Sequence, residues 1–527
     1  MSLDYGNLCS VILKQYFGEV VQIVGDCLFV ANWRTLYNLV KTTNLTKREV
    51  CKALAVLCKY HLVSFRASNF NPSVAEYLLN RDEVLYVVRY ARYVHRMQME
   101  YGNIGSFICE EILHNGSQTG TNLMLKYLAD ANEKEKIETV RDIFVRMIRA
   151  NYLIRLPKLV QGERSETVAV PKLHIDVDDL FNPPNIDLSL LAKIRTGTIL
   201  LCHAGDSDTL WQINFSRFHQ DFRDSIMIGA IERKMGSSAA ECFQYILKQM
   251  YERTDPWQRV KDNLQQISNP FTVAEIKQML LKNSKNFDLM TNLEQYITLI
   301  ADDSLGFIRK IGEMGSGQYV VDLSQAFEEL TLCCIENIIT ERFGSKASRI
   351  FRVVRMKKYI EQEDLQKEAM IPAKEAKLLS YNLFQEQFLQ IKSIRKPGGG
   401  GAAAKAFFLF HLKHLQIVTM LLDICYKALY NDITRSNYEK VEHKRLIDKS
   451  QKLDSIVATM EERGESEDYI AEILETLTPP EREILEKVKN RIKILSKAEL
   501  TIDDNIFLLQ MYIHHCSHLP TATSVAK

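Results

Sequence analysis

Four stretches of this 527-residue sequence carry residue types that do chemistry in other settings. Gly312-Glu-Met-Gly315-Ser-Gly317 has glycines of the kind that cradle phosphates. Their order is wrong for a dinucleotide fingerprint, and a strand-like run follows where a helix is needed, so the stretch reads as a hairpin turn. Asp206-Ser-Asp208 offers two carboxylates for a cation, but it lies in an aperiodic segment and reads as a solvated loop. His514, His515 and His518 share one late helix and read as structural. Gly398 to Gly401 has no helix N-terminus after it to hold an anion, and a flexible wing is the better reading. The sequence contains no P-loop, HExxH, GxSxG or kinase signature. No catalytic residue, metal site or cofactor is expected, and an enzyme is the least favoured class.

The chemistry left is that of surfaces. Lys374, Lys377, Tyr381 and Gln385 recur at spacings of three and four, opposite Ala376, Leu379 and Leu383. A basic and aromatic helix face of this kind contacts phosphates and sugars, or another protein. Arg48, Lys52 and Lys59 line a second such face, with the same two readings. A third helix carries Thr291, Glu294 and Thr298 with Asp302 and Asp303 after it, a face that repels DNA. Arg89-Tyr-Ala-Arg92-Tyr93 is either an interface anchor or a packed helix with snorkelling arginines. Leu446, Leu453 and Met460 recur every seven residues, and Ile484, Leu485, Val488, Ile492 and Leu495 make a second apolar stripe. These form a seam for docking on a partner or for a plain helical bundle.

The elements that must position these faces follow one plan. Helices are followed by short β-rich runs around a turn, the order of a winged helix, whose helix-turn-helix is completed by a hairpin. In residues 1–80 the helices are Cys9 to Phe17, Thr35 to Lys41 and one started by the capping box Thr46-Lys-Arg-Glu49, with strands from Leu62 to Arg66 and Val74 to Leu79. Residues 81–160 hold helices ending before Asn115-Gly116 and at Ala150, then a strand from Tyr152 to Leu156. Residues 161–208 read as a linker. Residues 209–344 open near Leu210 and hold a helix from Asn214 to Met235, a hairpin over Phe307 to Leu323 and a closing helix to Phe343. Residues 345–412 give helices at Ser348 to Lys358, Gln362 to Met370 and one with Pro372 at its first position. Strands Phe388 to Ile394 and Phe407 to Leu412 flank a Gly/Ala wing. Residues 413–527 read as a helical hairpin or short coiled coil, with a Thr478-Pro-Pro-Glu481 cap. The fold class is therefore mainly α with small β hairpins: four tandem winged helices and a C-terminal coiled coil.

Composition bounds the partners. The hydrophobic fraction of 46% is globular, and 527 residues imply several cores. The net charge is only +1. A free-standing DNA binder usually carries a basic excess, so any nucleic-acid contact must come from local faces or from an assembly. The 11 cysteines show no CxxC and read as reduced core thiols. No secretory signal and no window of about 20 apolar residues is present, so a soluble intracellular protein is expected, without membrane contact.

Several long stretches carry a family resemblance. Trp211 to Asp224 (WQINFSRFHQDFRD), Glu341 to Arg352 (ERFGSKASRIFR), Met370 to Lys377 (MIPAKEAK) and Asp503 to Leu509 (DDNIFLL) resemble the RNA polymerase III subunit related to the large subunit of general factor TFIIE. The order of four winged helices and a coiled coil agrees along nearly the whole chain. The resemblance implies a heterotrimer with two other polymerase III-specific subunits, docked on the clamp of the largest subunit partly through the coiled coil. It implies a role in promoter-specific initiation and DNA opening alongside TFIIIB, for small RNAs such as tRNA and 5S rRNA. It implies a nuclear location and no active site of its own. Two departures bear on DNA. The 161–208 linker lacks the long charged insertion associated with some members. In the fourth wing, Lys396 and Lys405 are the only basic residues beside Arg395.

Two other classes compete. A free winged-helix regulator calls for basic recognition helices and a basic balance. A scaffold subunit of a lid-like complex calls for many helical repeats and one terminal winged helix.

Overall fold

Among the described residues, α-helices of 5 to 38 residues are interspersed with strands of two to six residues. The computed structural model describes residues 2–30, 32–130, 137–160, 170–174, 179–195, 205–252, 268–283, 286–313, 317–395, 406–463, 476 and 478–516. The chain divides into two units, Met1–Ile226 with Asp255–Lys261, and Met227–Thr254 with Asp262–Lys527.

The first unit opens with α1 (Leu3–Phe17), α2 (Glu19–Val30), β1 (Arg34–Thr35), α3 (Leu36–Thr43), α4 (Lys47–Lys59), β2 (Val63–Ala67) and β3 (Ala75–Leu79). The strands form an antiparallel sheet in the order β1-β3-β2. At the start of α4 the Thr46 hydroxyl accepts from the Glu49 N–H, and the Glu49 carboxylate accepts from the Thr46 N–H at 3.0 Å. Two otherwise orphaned donors are thereby satisfied. Leu8, Ile12, Leu13, Val24, Leu28, Leu39, Val50, Leu54 and Leu57 fill the core. Helix α2 is absent from the sequence reading. It follows Gly18, whose φ of 91° turns the chain sharply after α1. Gly25 lets α2 approach α1, because a Cβ there would strike the Leu13 side chain.

The second winged helix contains α5 (Arg81–Tyr86), a 3-10 turn (Val87–Arg89), α6 (Tyr90–Asn115), α7 (Gly120–Asp130), α8 (Ile137–Arg149) and β4 (Leu153–Arg155). A small pair, β5 (Lys158–Val160) with β6 (Lys172–His174), and α9 (Leu188–Arg195) follow. The partner of β4 is β7 (Trp211–Ile213), antiparallel, with Leu153 opposite Ile213. The sequence placed these residues at the start of the third winged helix. Their packing is with the second: Trp211, Ile213 and Phe218 join Tyr93, Met97, Ile108, Phe144, Met147 and Tyr152 in one core. Phe218 belongs to α10 (Phe215–Met235). A strand separated from its partner by more than 50 residues leaves no local signal, which is why the sequence reading assigned it to the wrong neighbour.

In the second unit, α11 (Ser237–Glu252), β8 (Phe271–Thr272), α12 (Val273–Asn283), α13 (Phe287–Thr291), α14 (Leu293–Ala301), β9 (Ile308–Gly312) and β10 (Gln318–Val321) make the third winged helix, with strand order β8-β10-β9. Then come α15 (Leu323–Phe343), α16 (Ser345–Lys357), β11 (Ile360–Glu361), α17 (Gln362–Ala369), α18 (Ala373–Gln385), β12 (Gln390–Arg395) and β13 (Ala406–His411), with sheet order β11-β13-β12. Pro372 is the N-cap of α18 and not its first helical residue. Its fixed φ still presets the helix entry. The chain ends in α19 (His414–Glu442), α20 (Lys444–Arg463) and α21 (Pro479–Cys516), and α21 packs along α19 and α15. Among the described residues no helix is long and apolar enough to cross a membrane.

Candidate nucleic-acid and docking surfaces

Helix α4 turns its apolar stripe, Val50, Ala53, Leu54 and Leu57, into the first core. The helical repeat therefore sends Arg48, Lys52 and Lys59 outward, and all three are exposed. Lys59 lies over the Tyr60 ring at 5.7 Å, and the Tyr60 hydroxyl donates to the His114 carbonyl at 2.6 Å. Beside this helix the β2–β3 hairpin is locked. Arg66 pairs with Glu76 at 3.1 Å and stacks on Trp33 at 4.1 Å. The Asn71 carboxamide accepts from the Ser73 N–H and hydroxyl. The tip thus presents Phe70, which is 98% exposed. In sequence Asn69 to Ser73 reads only as a turn, and nothing in it singles out this aromatic.

Helix α18 has a different surface. Ala376, Ser380 and Leu383 are buried, and Leu379 is half-buried. Lys374, Lys377, Tyr381 and Gln385 face outward as the spacing predicts. Leu378 (59% exposed) and Phe384 share that exposed side, and Tyr381 is 61% exposed. Met370 precedes the helix in a left-handed conformation, with φ of 51° and its side chain exposed. Exposed apolar side chains gathered this closely mark a protein contact more than a phosphate contact. The wing strands add to them: Ile394 and Phe407 are cross-strand partners, and both are half-exposed. Lys396 and Lys405 lie outside the described residues.

On α14 and just before it, Thr291, Glu294 and Thr298 are exposed. Asp302 is exposed, whereas Asp303 is paired with Lys234, which removes part of the negative field expected there. In Arg89-Tyr-Ala-Arg92-Tyr93, Arg89 is 1% exposed and Tyr93 fully buried, so the packed-helix reading holds for these two. Arg92 lies over Phe222 at 4.9 Å.

The C-terminal helices sort their apolar residues unevenly. Leu453 and Val488 are buried within the second unit, while Leu446 and Met460 are half-buried. Ile484 is 43% exposed, and its neighbour Leu485 is buried in its place. The apolar seam is thus divided: Leu453, Leu485 and Val488 are buried, whereas Ile484 is exposed and Leu446 and Met460 are half-buried. Polar ties register the hairpin. Lys449 donates to Glu481 at 2.9 Å, and Lys489 donates to the Ser450 hydroxyl at 3.2 Å. Glu439, whose side chain is 3% exposed, accepts from Arg435 at 2.6 Å and from Arg491 at 3.4 Å. At the start of α19, His414 packs against Tyr512 and meets the Thr331 hydroxyl at 3.1 Å. Burial, helped by Arg355, pushes its pKa down to about 4.

The other sequence candidates resolve structurally. Asp206 is buried and not a solvated loop residue. Its carboxylate accepts from the Thr121 N–H at 2.7 Å and from the Thr121 hydroxyl, and so caps the first turn of α7. His515 is buried and stacks on Phe327 at 5.4 Å. Among the described residues no group of His, Cys, Asp or Glu is placed to hold a metal ion. The described cysteines are unpaired thiols, but only Cys9, Cys109 and Cys242 are buried; Cys51 and Cys333 are exposed. Burial pushes Cys9 and Cys242 up to about 12, so these thiols stay protonated.

Comparison with known proteins matches the chain from near its start to its C-terminal helices. Residues 7–68 match the RNA polymerase III subunit RPC82 helix-turn-helix domain, and residues 142–330 match the model of RNA polymerase III subunit RPC82. Residues 335–412 match the POLR3C C-terminal winged-helix domain, and residues 445–508 the DNA-directed RNA polymerase III subunit RPC3 helical hairpin domain. The chain is 33% identical to DNA-directed RNA polymerase III subunit RPC3 of Bos taurus, over 96% of this chain and 98% of the relative. The Homo sapiens protein of that name gives the same figures. That of Danio rerio is 32% identical over 98% of this chain and 99% of its own length.

Proposed function

This chain belongs to the RNA polymerase III subunit RPC3 family, and from that premise we propose that it is a non-catalytic subunit that docks on the polymerase and positions promoter DNA for initiation and opening. The observation that carries this reading is the end-to-end match, which takes in the helix-turn-helix, the later winged helix and the hairpin in one order. Partial likeness to one winged helix would suit a free regulator equally well. A match over 98% of a polymerase subunit does not. The lid-like scaffold reading loses its ground for the same reason.

In this reading the chain joins two other polymerase III-specific subunits in a heterotrimer on the clamp, in the nucleus. Arg48, Lys52 and Lys59 of α4 are the phosphate-contacting face, with Phe70 at the adjoining wing tip. Met370, Leu378, Tyr381 and Phe384 are a subunit-contacting face in which Lys374 and Lys377 serve the rim. Ile484, Leu446 and Met460 belong to the hairpin's docking edge. Nucleotide addition is the work of other subunits.

The test is affinity purification of the tagged chain from nuclear extract, with partners identified by mass spectrometry. Polymerase III subunits recovered in near-equal amounts support the reading. Recovery of the chain alone on DNA, or with a different complex, overturns it.

A further inference from the structure

The three-stranded sheets each leave one longer strand at an edge: β2, β9 and β12. A free edge offers unpaired N–H and C=O groups to any other chain, and folded proteins blunt it with charge, a bulge or brevity. Strand β2 has no exposed large apolar residue, and its Arg66 is tied to Glu76. Strand β9 exposes Ile311, but its pairing with β10 shifts register between Gln318 and Tyr319. Strand β12 has neither device. It runs for six residues in unbroken register with β13, from Gln390 opposite His411 to Arg395 opposite Ala406. Among the described residues its backbone bonds to no other strand. Ile391 and Ile394 on it are 40% and 45% exposed, and residues three apart in a strand point to opposite faces. Across the hairpin Phe407 and Phe408 are exposed too, so apolar area flanks the edge on both faces. Lys392 does not guard the edge, because it lies over the Tyr359 ring at 5.5 Å, toward the β11 side of the sheet. The charge here is one-sided. From Gln387 to Leu422 the sequence has no Asp or Glu, and it holds Lys392, Arg395, Lys396, Lys405 and Lys413. Glu361 belongs to β11, which β13 separates from β12.

We infer that β12 takes up an extended, acidic segment of a partner protein as a further strand of its sheet. The occupant follows from the chemistry of the edge. A regular row of unpaired backbone groups selects an extended polypeptide. Exposed isoleucines on both faces select apolar side chains opposite Ile391 and Ile394, and the cations select carboxylates opposite Lys392 and Arg395. Nucleic acid satisfies the cations alone and leaves the isoleucines and phenylalanines in water. The proposal goes beyond the docking role given above. That role rests on side chains of α18 and of the hairpin, whereas this one names the conformation and charge of a partner segment at the fourth wing.

The experiment is a fluorescence-anisotropy titration of the full-length chain with the fluorescein-labelled peptide Glu-Val-Thr-Glu-Val-Thr. Laid antiparallel on β12, it sets its valines opposite Ile394 and Ile391 and its glutamates opposite Arg395 and Lys392. Saturable binding that weakens with salt is expected. Alternate N–H groups of an added strand face β12 and the others face away. Methylating one alternate set of peptide nitrogens should therefore lower affinity at least tenfold, and methylating the other set less than twofold. This contrast uses the unaltered chain, so misfolding of a variant cannot decide it. On the protein, Lys392→Glu with Ile394→Glu should lower affinity at least tenfold. Lys493→Glu with Lys497→Glu, two cations of α21, should lower it less than twofold. Equal effects of the two methylated sets, no saturable binding, or displacement by a single-stranded oligonucleotide at lower concentration than by unlabelled peptide would each overturn the inference. Polymerase recovery is a separate readout and does not enter this one.

Discussion

Helices α4 and α18 occupy the same position in two winged helices, yet they present different chemistry. The outward side of α4 is Lys47, Arg48, Glu49, Lys52 and Lys59, with Cys51 and Ala55 as its exposed apolar residues. The outward side of α18 sets Lys374 and Lys377 among Leu378, Tyr381 and Phe384. In the proposed reading one fold carries two kinds of recognition. Charge without apolar area is the currency of phosphate contact. Aromatic and aliphatic area rimmed by cations is that of a protein interface. The net charge of +1 does not display this difference, because it sums over all faces of the chain.

Four measurements break or sharpen the contrast. The largest effect separates the two regions by pH. His414 lies in the unit that holds α18, and its folded pKa of about 4 is below the unfolded value of 6.5. Between those values the unfolded chain binds the extra proton, so stability is present above about pH 6.5 and falls as pH drops toward 4. The loss is at most about 3 kcal/mol. His414→Leu should flatten that limb in chemical denaturation monitored across pH; an unchanged limb removes the assignment.

Next, Leu378→Asp with Tyr381→Asp should weaken incorporation into polymerase at least tenfold, about 1.4 kcal/mol, with Tm nearly unchanged because both side chains are exposed. Unimpaired co-purification would make α18 a solvated face. Arg48→Glu with Lys52→Glu should then lower affinity for duplex DNA about fivefold and reduce the salt slope by about two, with incorporation kept. A drop in incorporation instead would erase the contrast. The smallest effect belongs to Lys374→Glu with Lys377→Glu, where a change in DNA affinity under about twofold is expected, since rim charges contribute little.

Much of this was readable before folding. The capping box at Thr46, the hairpin of β2 and β3 and the outward set Lys374, Lys377 and Tyr381 follow from local spacing, and the structure keeps them. Leu378 was equally legible, four residues after Lys374, but a leucine in a helix invites a core assignment. Other features lie beyond local reasoning. Asp206 caps α7 from 85 residues away, and β7 finds β4 across a long intervening segment. Ile484 and Leu485 are adjacent apolar residues, and only packing decides which of them is buried. Helix α2 has a polar stripe of only Glu19, Gln22 and Asp26 in a segment otherwise filled by apolar residues and Gly25, so its period is faint in the sequence.

The most direct test of the central claim compares two templates. Polymerase III depleted of this chain should lose promoter-directed initiation and regain it when the chain is added back, while extension on a tailed template proceeds throughout. Equal loss on both templates would contradict the account, because it would place the chain in nucleotide addition itself.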